Sequence, residues 1–76
     1  MRVLARLGGD DSLLVIEIVS ADYYPTNQEM HLYAGPDNVF NIKPIASADA
    51  RRHIIRLFSE GKTDLSAYDG EWSEQI

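Results

Sequence analysis

Asp49 and His53 stand four residues apart, the spacing at which a carboxylate and an imidazole share one face of a helix. Such a pair could chelate a metal ion. On a solvated face it forms an ordinary carboxylate–imidazolium pair, and that is the expectation for this chain. The second histidine, His31, falls in a segment of strand character and could join His53 only if that segment abuts the helix. Cysteine is absent, so no thiolate supplements the two imidazoles, and their separation of 22 residues matches no structural zinc pattern. Neither a metal nor a cofactor is expected.

Arg51, Arg52, His53 and Arg56 form the one basic cluster, the type of grouping with which a small nuclease would hold a phosphate. Nucleophile chemistry has less support. The serines at 12, 20, 47, 59, 66 and 73 fall in turns, at a helix start or in the tail, and none sits in a G-x-S-x-G setting. Asp10-Asp11 lies in a glycine-rich turn, where exposure denies the carboxylates the burial that general acid–base work requires. Gly8-Gly9 follows one strand and leads into another rather than into a helix N-terminus, which removes a phosphate-binding loop. No catalytic residue is assigned, and the chain is expected not to be an enzyme.

Charge is more informative. Between Arg6 and Lys43 there is no Lys or Arg, while Asp10, Asp11, Glu17, Asp22, Glu29 and Asp37 all fall in that interval. The net charge is +2 over residues 1–6, −6 over 7–42, +3 over 43–62 and −4 over 63–76, giving −5 for the chain. Single-sign fields steer oppositely charged partners. Within the acidic stretch, Tyr23-Tyr24 supplies amphipathic contact area of the kind enriched at interfaces, with Asp22 and Glu29 close by. Asp22, Tyr23, Tyr24, Glu29 and Asp37 are therefore the expected partner-binding residues, suited to Arg and Lys of a larger basic protein by ion pairing and cation–π contact.

The 76 residues make one domain near the lower size limit for a self-supporting core. Size alone thus leaves a homodimer open, as well as a small oligomer with a ligand held between subunits near Tyr23, Tyr24 and His31. An acidic balance argues against direct binding to nucleic acid, which needs a dense basic face. No stretch approaches the ~20 apolar residues of a membrane span, and the N-terminal segment lacks the apolar run of a signal peptide. A cytoplasmic location without membrane contact is expected.

The elements that must position these residues follow from pattern. Residues 2–7 alternate, with Val3, Ala5 and Leu7 on one side and Arg2 and Arg6 on the other. Gly8 to Ser12 is a turn, and Leu13–Val19 is a β-branched strand, so the two pair as a hairpin with Glu17 outside near Arg2 and Arg6. Residues 20–29 read as a polar connection. Residues 30–34 and 39–43 form a second hairpin across Gly35-Pro36-Asp37-Asn38, and Pro44 ends it. A helix is predicted over 48–60, capped by Ser47 and stopped by Gly61, with Ala50, Ile54, Leu57 and Phe58 inward and Arg52, Arg56 and Glu60 outward. The expected fold is α+β: a four-stranded antiparallel sheet made of two hairpins, with the helix on one face, in the order ββββα. Residues 1–62 form the domain, and 63–76 form an acidic arm whose Leu65, Tyr68 and Trp72 pack back on it.

In size, acidity, absence of cysteine and absence of a catalytic constellation, the chain resembles small phage-encoded anti-defence proteins, anti-CRISPR proteins among them. The resemblance is one of profile over the whole chain and no motif carries it. It implies an inhibitor or regulator that occupies a basic, nucleic-acid-binding site on a larger protein. The alternative is an antitoxin-like or accessory subunit whose acidic arm wraps a basic partner.

Overall fold

The computed structural model describes residues 1–74. Its chain order is β1 (Arg2–Arg6), β2 (Leu13–Glu17), β3 (Ser20–Tyr24), β4 (Glu29–Tyr33), β5 (Asn38–Ile42), α1 (Ser47–Glu60), β6 (Lys62–Asp64) and β7 (Gly70–Glu74). The fold is α+β, with a four-stranded antiparallel sheet, a second sheet of three strands and a packed helix.

The first hairpin forms in the expected register. Arg2 lies opposite Glu17, Leu4 opposite Val15 and Arg6 opposite Leu13. Alternation then turns Val3, Ala5 and Ile16 into the core and brings Arg2 Nε within 3.4 Å of Glu17 Oε1 outside. The loop is held by Asp10, whose Oδ1 accepts from the Ser12 amide at 2.9 Å and the Ser12 hydroxyl at 2.7 Å.

Residues 20–29 correct the expectation of a long polar connection. Ser20–Tyr24 is a strand paired with β4, because Ala21 and Tyr23 are half-buried against the core while Ser20, Asp22 and Tyr24 alternate to the other side. The run following Leu13 therefore bends at Ile18 and Val19 and passes from one sheet into the other. Sheet membership follows from that bend. The four-stranded sheet has the order β3-β4-β5-β7, and the three-stranded sheet is β2-β1-β6, with β1 and β6 parallel. The first hairpin thus belongs to the smaller sheet, and the chain after the helix contributes a strand to each.

At the opposite end the sheets meet where the Gly8 amide donates to the Gly70 carbonyl at 2.7 Å and Leu7 bridges to Gly70. Gly70 is required there by close approach, since a Cβ on it would overlap the ring of Phe40. The enclosed core is Val3, Ala5, Ile16, Ile18, Met30, Leu32, Phe40, Ile42, Ile45, Ala50, Leu57 and Leu65.

The helix ends as expected: Gly61 adopts φ 75° and its amide donates to the Leu57 carbonyl at 2.9 Å. Its start and its phase differ. Ser47 is the first helical residue, and the cap position is Ala46 in extended conformation, without a side-chain cap bond. Ala50, His53 and Leu57 face inward, while Phe58 and Ile55 are exposed. Ala50, His53 and Leu57 follow the i, i+3, i+7 stripe, and the sheets accept His53 because β6 offers it a hydroxyl partner. Among the described residues, no helix is long and apolar enough to cross a membrane.

Candidate functional site: an acidic aromatic sheet face

The face of the four-stranded sheet turned away from the core is built by strand registry. Asp22 of β3 lies opposite His31 of β4, His31 opposite Asn41 of β5, and Asn41 opposite Glu71 of β7. One rung further along, Tyr24 faces Glu29, and on the other side Ser20 faces Tyr33. Since side chains alternate along each strand, Asp22, Tyr24, Glu29, His31 and Tyr33 share one surface.

Their contacts form a network. Tyr33 Oη donates to Asp22 Oδ2 at 2.9 Å, and Tyr24 Oη donates to the same oxygen at 3.2 Å. His31 lies between two carboxylates: its Nε2 is 3.0 Å from Glu29 Oε2, and its Nδ1 is 3.9 Å from Asp22 Oδ1. Lys43 Nζ closes the other side of Glu29, 3.2 Å from Oε1. The Tyr24 and His31 rings lie 4.5 Å apart, tilted by 48°, and Tyr33 meets His31 edge-on at 6.4 Å. Hydrogen bonds from His31 and then Lys43 hold the Glu29 carboxyl below the usual range. Burial, followed by the bonds to Tyr24 and Asp22, pushes the Tyr33 phenol well up. Both groups therefore keep fixed roles near neutral pH: Glu29 is an anion and Tyr33 a donor.

Two acceptors on this rung, Asp22 Oδ1 and Asn41 Oδ1, are shielded from water and lack a hydrogen-bond donor. An unmet acceptor of this kind costs about 1–3 kcal/mol. They sit on either side of His31, so the centre of the face has acceptor capacity in excess of its donors. Tyr24 remains 43% exposed beside them.

Of the five residues singled out from sequence, the fold brings Asp22, Tyr24 and Glu29 together on this face. Tyr23 points the other way: its hydroxyl donates to the Ile45 carbonyl at 2.8 Å and its ring packs against the core. Asp37 occupies the exposed turn between β4 and β5, outside the sheet face. His31 and Tyr33 complete the cluster without having been singled out as partner residues. The period-two alternation of 20–24 and 29–33 was the signal that groups them.

His53 lies apart from this face, in the core beneath the helix. The expected solvated Asp49–His53 pair is not formed. Asp49 Oδ1 instead meets Arg52 Nη1 at 3.1 Å. His53 Nδ1 shares a 2.6 Å hydrogen bond with Thr63 Oγ1, and Tyr68 packs edge-on against its ring at 5.8 Å. The imidazole thus rivets α1 to β6. Burial, aided by Arg52 and Arg56, lowers its pKa below 6.5. The folded chain holds His53 neutral while the unfolded chain takes up a proton near 6.5, so stability falls as pH drops through that value toward the folded one. Thermal melts from about pH 8 down to about pH 5 are expected to show this loss, and His53→Gln to flatten it. A melting temperature independent of pH over that interval would contradict the assignment.

Comparison with protein-family models, with curated proteins and with solved structures finds no match for this chain.

Proposed function

We propose that the protein is a non-enzymatic binding protein, an inhibitor or regulator that presents the acidic aromatic face of its four-stranded sheet to a basic site on a larger protein. The observation that carries this reading is the convergence of Asp22, Tyr24 and Glu29 on the outer surface of the four-stranded sheet, with the Tyr24 ring exposed beside the two carboxylates. Arg and Lys side chains are the complement of such a surface. Tyrosines give them a flat ring to lie against, and the carboxylates accept their N–H groups. Because the tyrosines and carboxylates are fixed by strand pairing and by one another, little side-chain freedom is lost on binding.

A basic site of this description is one built for nucleic acid, and blocking it is what an anti-defence protein of phage type would do. The test is affinity capture by the immobilised full chain from a lysate of the source organism, followed by identification and titration of the captured protein. One basic protein is expected, released as salt rises toward physiological strength and displaced by a competing oligonucleotide. Tyr24→Ala should weaken its affinity by about tenfold or more with the melting temperature retained. Asp22→Lys should weaken it as much while lowering the melting temperature, because Tyr33 and Tyr24 lose the carboxylate that accepts from them. Capture that depends on Arg52 and Arg56, and survives changes at Tyr24 and Asp22, would reject this reading.

A further inference from the structure

Among the described residues, β2 is an uncovered edge of the smaller sheet, separate from the acidic face. The ladder between β1 and β2 is fixed by three bonds: the Ile18 amide to the Met1 carbonyl at 2.8 Å, the Met1 amino group to the Ile18 carbonyl at 3.2 Å, and the Leu7 amide to the Ser12 carbonyl at 3.3 Å. In an antiparallel pair such bonds recur at every second residue. Ser12, Leu14, Ile16 and Ile18 therefore bond to β1, and the amides and carbonyls of Leu13, Val15 and Glu17 point outward along the edge. Their side chains are also uncovered, with Leu13 60% and Val15 67% exposed.

Exposed strand edges are normally blunted by Lys, Pro, a bulge or a covering element. The sequence of β2, Leu-Leu-Val-Ile-Glu, offers none of these before its last residue. The other edges differ. The helix packs against β3 and β6, and β7 carries the charged Glu71.

We propose that β2 pairs antiparallel with β2 of a second copy of this chain, about a two-fold axis at Val15, joining two three-stranded sheets into one of six strands. This register matches all three outward residues at once. Val15 meets the second copy's Val15, and Leu13 meets its Glu17 in both directions, so every outward amide and carbonyl gains a partner. Charge selects the same register. It holds the two Glu17 carboxylates four positions apart, roughly 13 Å along the strands, whereas an axis at Glu17 would oppose them. Each Glu17 also keeps Arg2 of its own chain. A domain this small gains proportionally more from such burial than a larger one does.

Sedimentation equilibrium of the full chain at millimolar concentration is expected to give twice the 8.6 kDa chain mass. Val15→Lys, which opposes two ammonium groups at the axis and touches no core residue, should return it to the single-chain mass with its circular dichroism unchanged. Because the chain has no cysteine, single substitutions report the register. Val15→Cys should be linked between copies by a short bifunctional thiol reagent matched to the ~5.5 Å separation of paired Cα atoms, and Leu13→Cys, equally exposed, should not. A single-chain mass throughout, or a dimer that persists in Val15→Lys or is linked through Leu13→Cys but not Val15→Cys, would overturn the proposal.

Discussion

Phe40→Ala is expected to leave the chain largely unfolded at room temperature. The Phe40 ring is fully buried, lies over the Gly70 backbone where no side chain could fit, and receives Trp72 edge-on at 5.0 Å. It therefore closes the core where β5 meets β7 and where Gly70 ties β7 to the end of β1. Truncating a buried Phe costs about 3–5 kcal/mol, transfer and cavity together. A core of this size supplies about 3–5 kcal/mol in total, so the loss equals the whole margin. Phe40→Leu, which keeps most of the volume, should fold with reduced stability. Urea titration followed by circular dichroism measures both. A Phe40→Ala variant that unfolds cooperatively within about 1 kcal/mol of the parent would show that the two sheets do not close around this ring.

The helix gives the second large effect, and a sharp contrast between neighbours. Leu57→Asp should abolish folding, whereas Phe58→Asp should leave the melting temperature nearly unchanged or improve solubility. Leu57 is 1% exposed and Phe58 70% exposed. A carboxylate at 57 would be stripped of water opposite an apolar core, at a cost of several kcal/mol. At 58 it would stand in water, and an exposed phenylalanine would be lost. The pattern of residues alone grouped both with the inward stripe. Equal damage from the two substitutions would mean that the helix is rotated from the orientation described.

The partner residues divide on similar grounds. Asp22→Lys and Tyr24→Ala act on side chains of the outer sheet face, while Tyr23, its immediate neighbour, serves the core through Ile45. A Tyr23→Phe variant separates the roles. It removes one half-buried hydrogen bond, worth about 1 kcal/mol, and so should lower stability while leaving partner affinity in place.

Local chemistry determined much of this protein from its sequence. The alternation of residues 2–7 against the β-branched run after Ser12 specified the first hairpin down to the Arg2–Glu17 pair. Pro36 and Asn38 specified the second turn, and Gly61 the end of the helix. These features depend on φ preferences, periodicity and cross-strand charge within a few residues of one another, so the sequence carries them openly. The charge gap between Arg6 and Lys43 and the tyrosine pair within it pointed to Asp22, Tyr23, Tyr24, Glu29 and Asp37 alike, of which strand pairing groups Asp22, Tyr24 and Glu29.

Tertiary structure decided the rest. Polar composition disguised Ser20–Tyr24 as a connection, because Asp22 is held by the phenols of Tyr24 and of Tyr33 on the next strand and only Ala21 and Tyr23 face inward. The division of strands between two sheets depended on the bend at Ile18 and Val19, which no local preference dictates. His53 resembled a solvated partner of Asp49 until Thr63, ten residues further on, supplied the hydroxyl that makes its burial tolerable. Phe58, apolar and at helical spacing, was left outside because the sheets cover only the stripe formed by Ala50, His53, Ile54 and Leu57. In each case the deciding partner lay far along the chain or in another layer, where periodicity and propensity, which act over a turn or two, have no reach.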